Sequence, residues 1–179
     1  MRLLFGFTLP DDIRQETARL AALAEPLIPG RYSGAENHHI TLAFLGEVDE
    51  SRVEEARALL ARQIASVPAP TLTLDRADFF KRPENGILIL RVLCTPGLSC
   101  LHNALCAALL KEGFPCDPKP FAAHITLCRH AKITPEALAK LSPAPLSFSP
   151  RFAHVFLSAR DEENHLRYTP IASAPFFQS

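Results

Sequence analysis

Apolar and polar residues alternate along this chain in short blocks whose period changes repeatedly. Blocks with a period of two that are rich in β-branched and aromatic residues predict strands, and blocks with a period near 3.6 predict helices. Strands are predicted near residues 2–9, 39–48, 71–80, 86–93, 121–128, 146–148, 152–159 and 166–171. Helices are predicted over residues 11–24, 50–65, 98–112 and 135–141.

Helices alternate with strands in both halves of the chain, and the segments between them are short. None of these segments is long enough to act as a linker between independent domains. We therefore expect an α+β fold in which residues 1–179 form a single domain. Two pseudo-symmetric lobes, each an antiparallel sheet with helices on its outer face, are expected to surround a central cleft.

One tetrapeptide occurs twice in the chain, because His39-Ile40-Thr41-Leu42 recurs as His124-Ile125-Thr126-Leu127. Both copies lie inside predicted strands, where residues i and i+2 point to the same face. Each His and its Thr therefore project together, while Ile and Leu point to the opposite face. Each half of the chain is expected to contribute one such strand, so that the cleft between them receives two imidazoles and two hydroxyls.

Two imidazoles and two hydroxyls match the needs of phosphodiester hydrolysis. In-line attack on phosphorus takes a base for the nucleophile, an acid for the leaving oxygen and donors for the non-bridging oxygens. Histidine, with an ordinary pKa near ~6.5, serves in either proton role. A single His-x-Thr is more often structural, since His ends a strand and Thr fills a solvated face. The repeat of spacing, apolar neighbours and strand setting favours the catalytic interpretation.

Four segments carry a resemblance to a known family. Residues 2–10 (RLLFGFTLP) are similar to its opening strand, and residues 36–47 (ENHHITLAFLGE) to its first motif. Residues 120–129 (PFAAHITLCR) resemble its second motif, including the Arg two residues after the Leu, and residues 155–160 with Tyr168 resemble its last two strands. The chain is thereby identified as a member of the two-histidine (2H) phosphoesterase superfamily. Within it, the chain resembles the RNA 2′,3′-cyclic phosphodiesterases, also called 2′-5′ RNA ligases.

The resemblance implies an enzyme that hydrolyses RNA 2′,3′-cyclic phosphate ends to 2′-phosphates without a metal or another cofactor. By analogy with the family, His124 is the proton acceptor that activates water, and His39 is the proton donor to the leaving 3′ oxygen. Thr41 and Thr126 are implied to bind the non-bridging oxygens, and Arg129 to offset their charge. The same acid and base acting in reverse would give 2′-5′ RNA ligation.

Strand alternation raises a difficulty for Arg129, because it assigns this residue to the face opposite His124 and Thr126. Either the strand bulges or ends after Cys128, or the long side chain curls around the end of the strand. The resemblance places an Arg beside the phosphate, so we expect one of these departures from regular geometry.

Weaker candidates for substrate contacts lie elsewhere in the chain. Phe5 and Tyr32 offer faces on which an unpaired base can stack, although Phe5 is equally suited to burial in the first strand. Tyr32 stands where the family commonly has a Trp. His130 and Lys132 are further candidate donors to a phosphate, with an ordinary solvated strand end as the alternative.

A metal site is the other use for clustered imidazoles. His38, His39, His124 and His130 suit zinc as ligands, but zinc usually binds tetrahedral sets that include carboxylates or thiolates. No carboxylate or thiolate in this sequence is spaced to complete such a set with these histidines. His38 must also point to the face opposite His39 if the strand has begun. We expect no metal.

Composition restricts partners and compartment. The 19 basic and 19 acidic side chains cancel, so we expect local recognition of an RNA end and not of a long duplex. No segment approaches the ~18 consecutive apolar residues of a membrane span, and Asp11 interrupts the apolar N-terminus too early for a signal-peptide core. Five cysteines without a Cys-x-x-Cys pair indicate reduced thiols. These features predict a cytoplasmic monomer that contacts no membrane.

Two other functions fit the same residues. The first is an enzyme with the same cleft that acts on a small cyclic nucleotide, such as ADP-ribose 1″,2″-cyclic phosphate. The second is a non-catalytic RNA-end binding module. Intact His and Thr in both motifs disfavour the binding module, because binding needs donors but not a matched acid and base.

Overall fold

A computed structural model describes residues 1–177 of the chain. Within these residues the strands are β1 (Arg2–Thr8), β2 (Arg31–Tyr32), β3 (His39–Glu47), β4 (Leu72–Phe80), β5 (Gly86–Val92), β6 (His124–Ala131), β7 (Ser147–Phe148), β8 (Phe152–Arg160) and β9 (Leu166–Pro175). The α-helices are α1 (Asp11–Ala24), α2 (Val53–Ile64), α3 (Pro96–Lys111) and α4 (Pro135–Leu138).

The strands form one antiparallel sheet in the order β7-β4-β5-β6-β3-β1-β8-β9, with β2 paired to β6. The two motif strands β3 and β6 are neighbours at its centre and, in the part of the chain described, pair at a single position, Ile40 with Ile125. Four strands of the path stand on each side of this junction. The strands β8 and β9, which come late in the chain, lie on the same side of the junction as β1 and β3. The two sides of the sheet therefore do not correspond to the two halves of the chain.

The helices bury their apolar sides against this sheet. Leu20 of α1, Leu60 of α2 and Leu105 of α3 are each almost completely buried, and burying a leucine contributes roughly 1.5 to 3 kcal/mol. α1 packs against β6, α2 against β8 and β9, and α3 against β3 and α2. Ile40 and Ile125 belong to the same core. The core therefore lies on the sheet face opposite the two His-x-Thr pairs.

Both motif strands contain a β-bulge at the same place. The extra residue in β3 is Leu42, and Leu42 and Ala43 are consequently both buried. In β6 the extra residue is Leu127, and Leu127 and Cys128 are both buried. A bulge shifts the alternation by one residue, so the residues beyond it change face. Arg129 thereby turns to the same face as the motif His and Thr.

The predicted α+β class is confirmed, and α1 has the predicted bounds. The two expected sheets are joined into one, because backbone pairing at Ile40 and Ile125 links β3 to β6. The pseudo-symmetry of two lobes and the extent of the domain stay predictions. β2 was not predicted, since two residues are too few for a periodic pattern. None of the helices described in residues 1–177 is long and apolar enough to cross a membrane.

Candidate active site

The four polar side chains of the two motifs meet because of the way β3 and β6 pair. Ile40 stands opposite Ile125 in an antiparallel register, so the residues that flank these two isoleucines are neighbours across the strands. The flanking pairs are His39 with Thr126 and Thr41 with His124. All four side chains line one cavity.

The two imidazoles are held in the same way. Nδ1 of His39 lies 2.8 Å from the carbonyl oxygen of Asn37, and Nδ1 of His124 lies 2.6 Å from that of Ala122. A carbonyl oxygen only accepts, so Nδ1 carries the hydrogen and donates it in both rings. Each neutral imidazole therefore presents Nε2 as the nitrogen that can accept a proton.

Aromatic rings from other strands pack against both imidazoles. The His39 ring lies 4.2 Å from the ring of Tyr168 and 5.4 Å from that of Phe156, measured between centroids. The His124 ring meets Phe80 edge to face, with centroids 4.8 Å apart. These contacts restrict rotation of the imidazoles and exclude water from one side of each. The orientation of the two motif histidines thus depends on β4, β8 and β9.

Arg129 reaches the cavity because of the bulge at Leu127, which removes the alternation problem noted in the sequence. Its Nη2 donates to the hydroxyl of Tyr168 at 3.3 Å. Its positive charge also contributes to lowering the pKa of both His39 and His124. One guanidinium therefore acts electrostatically on both imidazoles.

Burial makes both imidazoles weak bases in the free protein. It lowers the pKa of His39 to about 4, although the hydrogen bond to Asn37 opposes the change. Burial also lowers the pKa of His124, and the charges of Arg91 and Arg129 add to this effect. Both rings are consequently neutral at pH 7. An anion bound between them would favour the protonated form and raise both pKa values again.

The cavity has a volume of about 530 Å³, which is larger than one phosphate needs and lies in the range of ligand sites. The charged side chains that line it are Arg2, Lys81, Arg82, Lys119, Arg129 and Asp117. Asp117 forms an ion pair with Lys119 at 3.2 Å. The cavity is therefore locally positive in a chain whose formal net charge is zero.

The structure separates the candidates named from the sequence. The prediction that Phe5 stacks a base is wrong, because β1 lies between β3 and β8 and the side chain is completely buried. Tyr32 does not line the cavity either, and its hydroxyl donates to the carbonyl of Ile28 at 2.8 Å. His38 is buried, with Nδ1 2.8 Å from the Thr17 hydroxyl.

The residues of the zinc alternative do not come together. His130 is exposed beyond the cavity that holds His39 and His124, and His38 is buried away from it. Within residues 1–177, no group of three or more His, Cys, Asp or Glu side chains is placed to hold a metal ion. The absence of a metal requirement stays a prediction.

Several cavity residues were missed in the sequence. Tyr168 and Phe80 support the imidazoles, while the rings of His102 and Phe121 stack on each other with centroids 4.2 Å apart. Nδ1 of His102 also donates to the carbonyl of Leu42 at 2.7 Å. No local spacing relates these residues to the motifs. The only signal was that Tyr168 and Phe121 lie in segments that resemble the family.

Two of the five cysteines lie side by side. The Cα atoms of Cys106 of α3 and Cys116 are 5.8 Å apart, a separation that a disulfide can span, and Cys116 lines the cavity. The reduced state of the thiols stays a prediction. After α3 the chain turns at Gly113, whose φ is +73°, and runs back along the helix. Sequence spacing alone does not reveal this return. Cys94, Cys100 and Cys128 are free.

Known proteins resemble this chain over nearly its whole length. The family model described as 2′-5′ RNA ligase superfamily matches residues 8–164. The RNA 2′,3′-cyclic phosphodiesterase of Escherichia coli (strain K12) is 36% identical over 172 residues, which are 95% of this chain and 93% of that protein. The crystal structure of E. coli LigT complexed with 3′-AMP has a TM-score of 0.81 at 31% identity and covers 99% of this chain and 98% of LigT. A crystal structure from Thermus thermophilus has the same fold, with a TM-score of 0.84 at 21% identity and 98% of both chains covered.

Proposed function

The chain belongs to the 2′-5′ RNA ligase superfamily, and we propose that it hydrolyses 2′,3′-cyclic phosphate ends of RNA to 2′-phosphates by two-histidine acid–base catalysis. The name of the E. coli relative, RNA 2′,3′-cyclic phosphodiesterase, supports this substrate. The cavity also contains the two imidazoles and two hydroxyls that the sequence predicts for phosphodiester hydrolysis, and this agreement supports the proposal as well. RNA with a cyclic phosphate end is thus the partner, and the reverse reaction would join RNA through a 2′-5′ linkage.

One observation carries the proposal more than any other. Two imidazoles on adjacent strands are each fixed through Nδ1 to a backbone carbonyl, and the guanidinium of Arg129 acts on both. Such a pair offers one Nε2 on each side of a bound phosphate, as in-line displacement requires. A module that only binds RNA ends would need positive charge and donors, but it would not need two imidazoles with the same fixed tautomer.

The mechanism assigns one proton transfer to each imidazole. Nε2 of His124 accepts a proton from water as the water oxygen attacks phosphorus. The bond between phosphorus and the 3′ oxygen breaks, and protonated Nε2 of His39 donates its proton to that oxygen. The phosphate remains on the 2′ oxygen. The pair ends with its protonation states exchanged, and one proton returned through solvent restores them.

Donors around the phosphate stabilise the negative charge that develops on its non-bridging oxygens. The hydroxyls of Thr41 and Thr126 donate hydrogen bonds to these oxygens, and the guanidinium of Arg129 offsets their charge. Removing one such donor from a comparable site typically costs about 10²- to 10³-fold in turnover. No step requires a metal ion, so chelation with EDTA should leave turnover unchanged.

The test is the identity of the product made from a defined RNA end. Purified protein is incubated with a 2′,3′-cyclic phosphate substrate, and phosphorus NMR or enzymatic mapping identifies the product. A 2′-phosphate whose formation disappears in the double variant His39→Ala/His124→Ala supports the proposal. A 3′-phosphate product, or no turnover of any RNA cyclic phosphate, would refute it. A cytoplasmic location and a monomeric state stay predictions beside it.

A further inference from the structure

We propose that the turn between β4 and β5 forms a second phosphate subsite, which binds the phosphodiester preceding the terminal cyclic phosphate of an RNA strand. The contact is made by Lys81 and Arg82. This inference rests on the proposed function and makes strands of two or more nucleotides the preferred substrate.

Two adjoining cavities define the path of the strand. The catalytic cavity shares Arg82, Ile87 and Arg129 with a second cavity of about 550 Å³. The second cavity is lined by the β4–β5 turn and by the end of β6, including His130. A strand with its terminal phosphate between the two motif imidazoles can therefore continue past Arg129 along the turn.

The turn between β4 and β5 begins next to the imidazole of His124. Phe80, the last residue of β4, contacts the ring of His124, and Lys81 and Arg82 follow it directly. One or two residues of extended chain span roughly 3 to 7 Å. The Cα atoms of Lys81 and Arg82 therefore lie within about 7 Å of that of Phe80. Both side chains line the catalytic cavity, and Arg82 lines the second cavity as well.

The two cations of the turn have no ionic partner in the part of the chain that the structure describes. Lys81 and Arg82 are exposed, and neither forms an ion pair with any residue in the described range 1–177. Lys119, which also lines the catalytic cavity, is by contrast engaged by Asp117. Glu84 also lines the second cavity, together with the guanidiniums of Arg82 and Arg129. A guanidinium matches the geometry of a phosphodiester and binds it in bidentate fashion.

The backbone of β6 shapes the far side of the second cavity. Ile87 pairs with Arg129 and Gly86 pairs with Ala131, so His130 is an extra residue in the strand. Its φ is +53°, a conformation that is uncommon for residues other than glycine. This second bulge exposes His130 to the second cavity, which Arg82 also lines. Side chains with nitrogen donors thus line the second cavity from both the β4–β5 turn and β6.

The experiment compares two substrates that share a terminal nucleoside. One is a mononucleotide 2′,3′-cyclic phosphate, and the other is a tetranucleotide with the same cyclic phosphate end. The variant Lys81→Ala/Arg82→Ala should lower kcat/KM for the tetranucleotide on the order of tenfold more than for the mononucleotide, because only the longer substrate carries a second phosphate. The salt dependence of KM for the tetranucleotide should also become weaker.

A matched control distinguishes binding at the subsite from nonspecific electrostatic attraction between the protein and the RNA. The variant Lys140→Ala/Arg151→Ala removes the same charges from exposed positions outside both cavities and should leave the ratio of the two kcat/KM values unchanged. Equal losses with both substrates in Lys81→Ala/Arg82→Ala would overturn the subsite. Should the wild type turn over neither substrate, the proposed function fails. In that case the subsite is tested by fluorescence anisotropy with a labelled tetranucleotide 2′-phosphate. The variant Lys81→Ala/Arg82→Ala should bind it more weakly than wild type, and equal Kd values would overturn the subsite.

Discussion

At the scale of single residues, the proposed mechanism depends on the protonation of two largely buried imidazoles. Burial lowers the pKa of His39 to about 4 and also lowers the pKa of His124. The free enzyme therefore contains two proton acceptors and no donor at neutral pH. Because an anion between the rings favours their charged form, the substrate itself helps to create the acid that the reaction needs.

We expect the pH profile of kcat/KM to be bell-shaped with its maximum below pH 6.5. The active form has one imidazole protonated and the other neutral, and this form is most populated between the two pKa values of the free enzyme, both of which lie below 6.5. The maximum of kcat should lie at higher pH, since the bound phosphate raises both pKa values. Initial rates between about pH 4.5 and 8.5 measure both profiles. A kcat/KM maximum above about pH 7.5 would contradict the protonation scheme.

Replacing His39 or His124 by Ala should each lower kcat by on the order of 10²- to 10⁴-fold, the usual range for one general acid or base. The double variant should lose far less than the product of the single losses, because the two groups act as a unit. Steady-state kinetics with a cyclic phosphate substrate measures the effect. His165→Ala is the matched control, since His165 is exposed and outside the cavity. Near-full activity of a folded His39 or His124 variant would exclude a proton role for that residue.

At the scale of elements, the bulge that occurs in both β3 and β6 determines which residues face the cavity. Regular alternation explains why His39 and Thr41 share a face, and the sequence alone predicts that much. The face of Arg129 depends on a one-residue shift at Leu127, which depends on how β6 pairs with β5. Pairing between distant segments leaves no local periodic signal, so the sequence could pose the problem of Arg129 without choosing its solution.

The bulge in β3 requires a close approach between β1 and β3 at Gly6. A Cβ on Gly6 would lie 2.4 Å from the carbonyl oxygen of Ile40, which is too close for any real contact. We expect Gly6→Ala to reduce the free energy of unfolding by about 1 to 3 kcal/mol, as overpacking does. Turnover should also fall, because Ile40 separates the two polar residues of the first motif. Urea unfolding followed by circular dichroism measures the loss.

Gly97→Ala supplies the control for this strand variant. Gly97 lies in the first turn of α3, and a Cβ there meets nothing within 4 Å. The same Gly-to-Ala change should therefore leave stability equal or slightly higher, since Ala favours the helix. Equal destabilisation by both substitutions would show that the contact with Ile40 is not the cause.

Elements with strong local patterns were the predictable part of the fold. α1 and β3 carry periodic apolar positions and have nearly the predicted bounds. The support of His39 by Tyr168 was beyond prediction, because β9 reaches the neighbourhood of β3 only through β8 and β1. The approach of Cys106 to Cys116 was beyond prediction for a different reason, since it depends on the return of the chain after α3.

The buried histidines also affect the stability of the whole molecule. Burial lowers the pKa values of His38, His39, His124 and His154. In the unfolded chain these groups bind protons near their ordinary pKa of about 6.5, whereas the folded protein binds them only at lower pH. The unfolded state thus takes up more protons as the pH falls below about 6.5, and the folded state loses stability.

We expect the free energy of unfolding to decrease steadily from about pH 7.5 to pH 5. His39 alone should contribute on the order of 2 kcal/mol to this loss. The carboxylates with lowered pKa values, such as Asp78, become important only at lower pH. Urea unfolding at several pH values measures the slope. The variant His39→Asn should show a smaller decrease than wild type, and a wild-type stability that does not change over this range would contradict the assignment.

Sheet order also determines when catalytic competence can arise during protein synthesis. β8 and β9 are translated after both motifs, yet they complete the part of the sheet that contains β1 and His39. The N-terminal segments therefore wait with an unpaired strand edge until roughly 150 further residues have been translated. Tyr168, which packs on His39, arrives only with β9. A nascent chain released before β9 would contain both motifs and still lack the tyrosine ring that packs on the proposed proton donor.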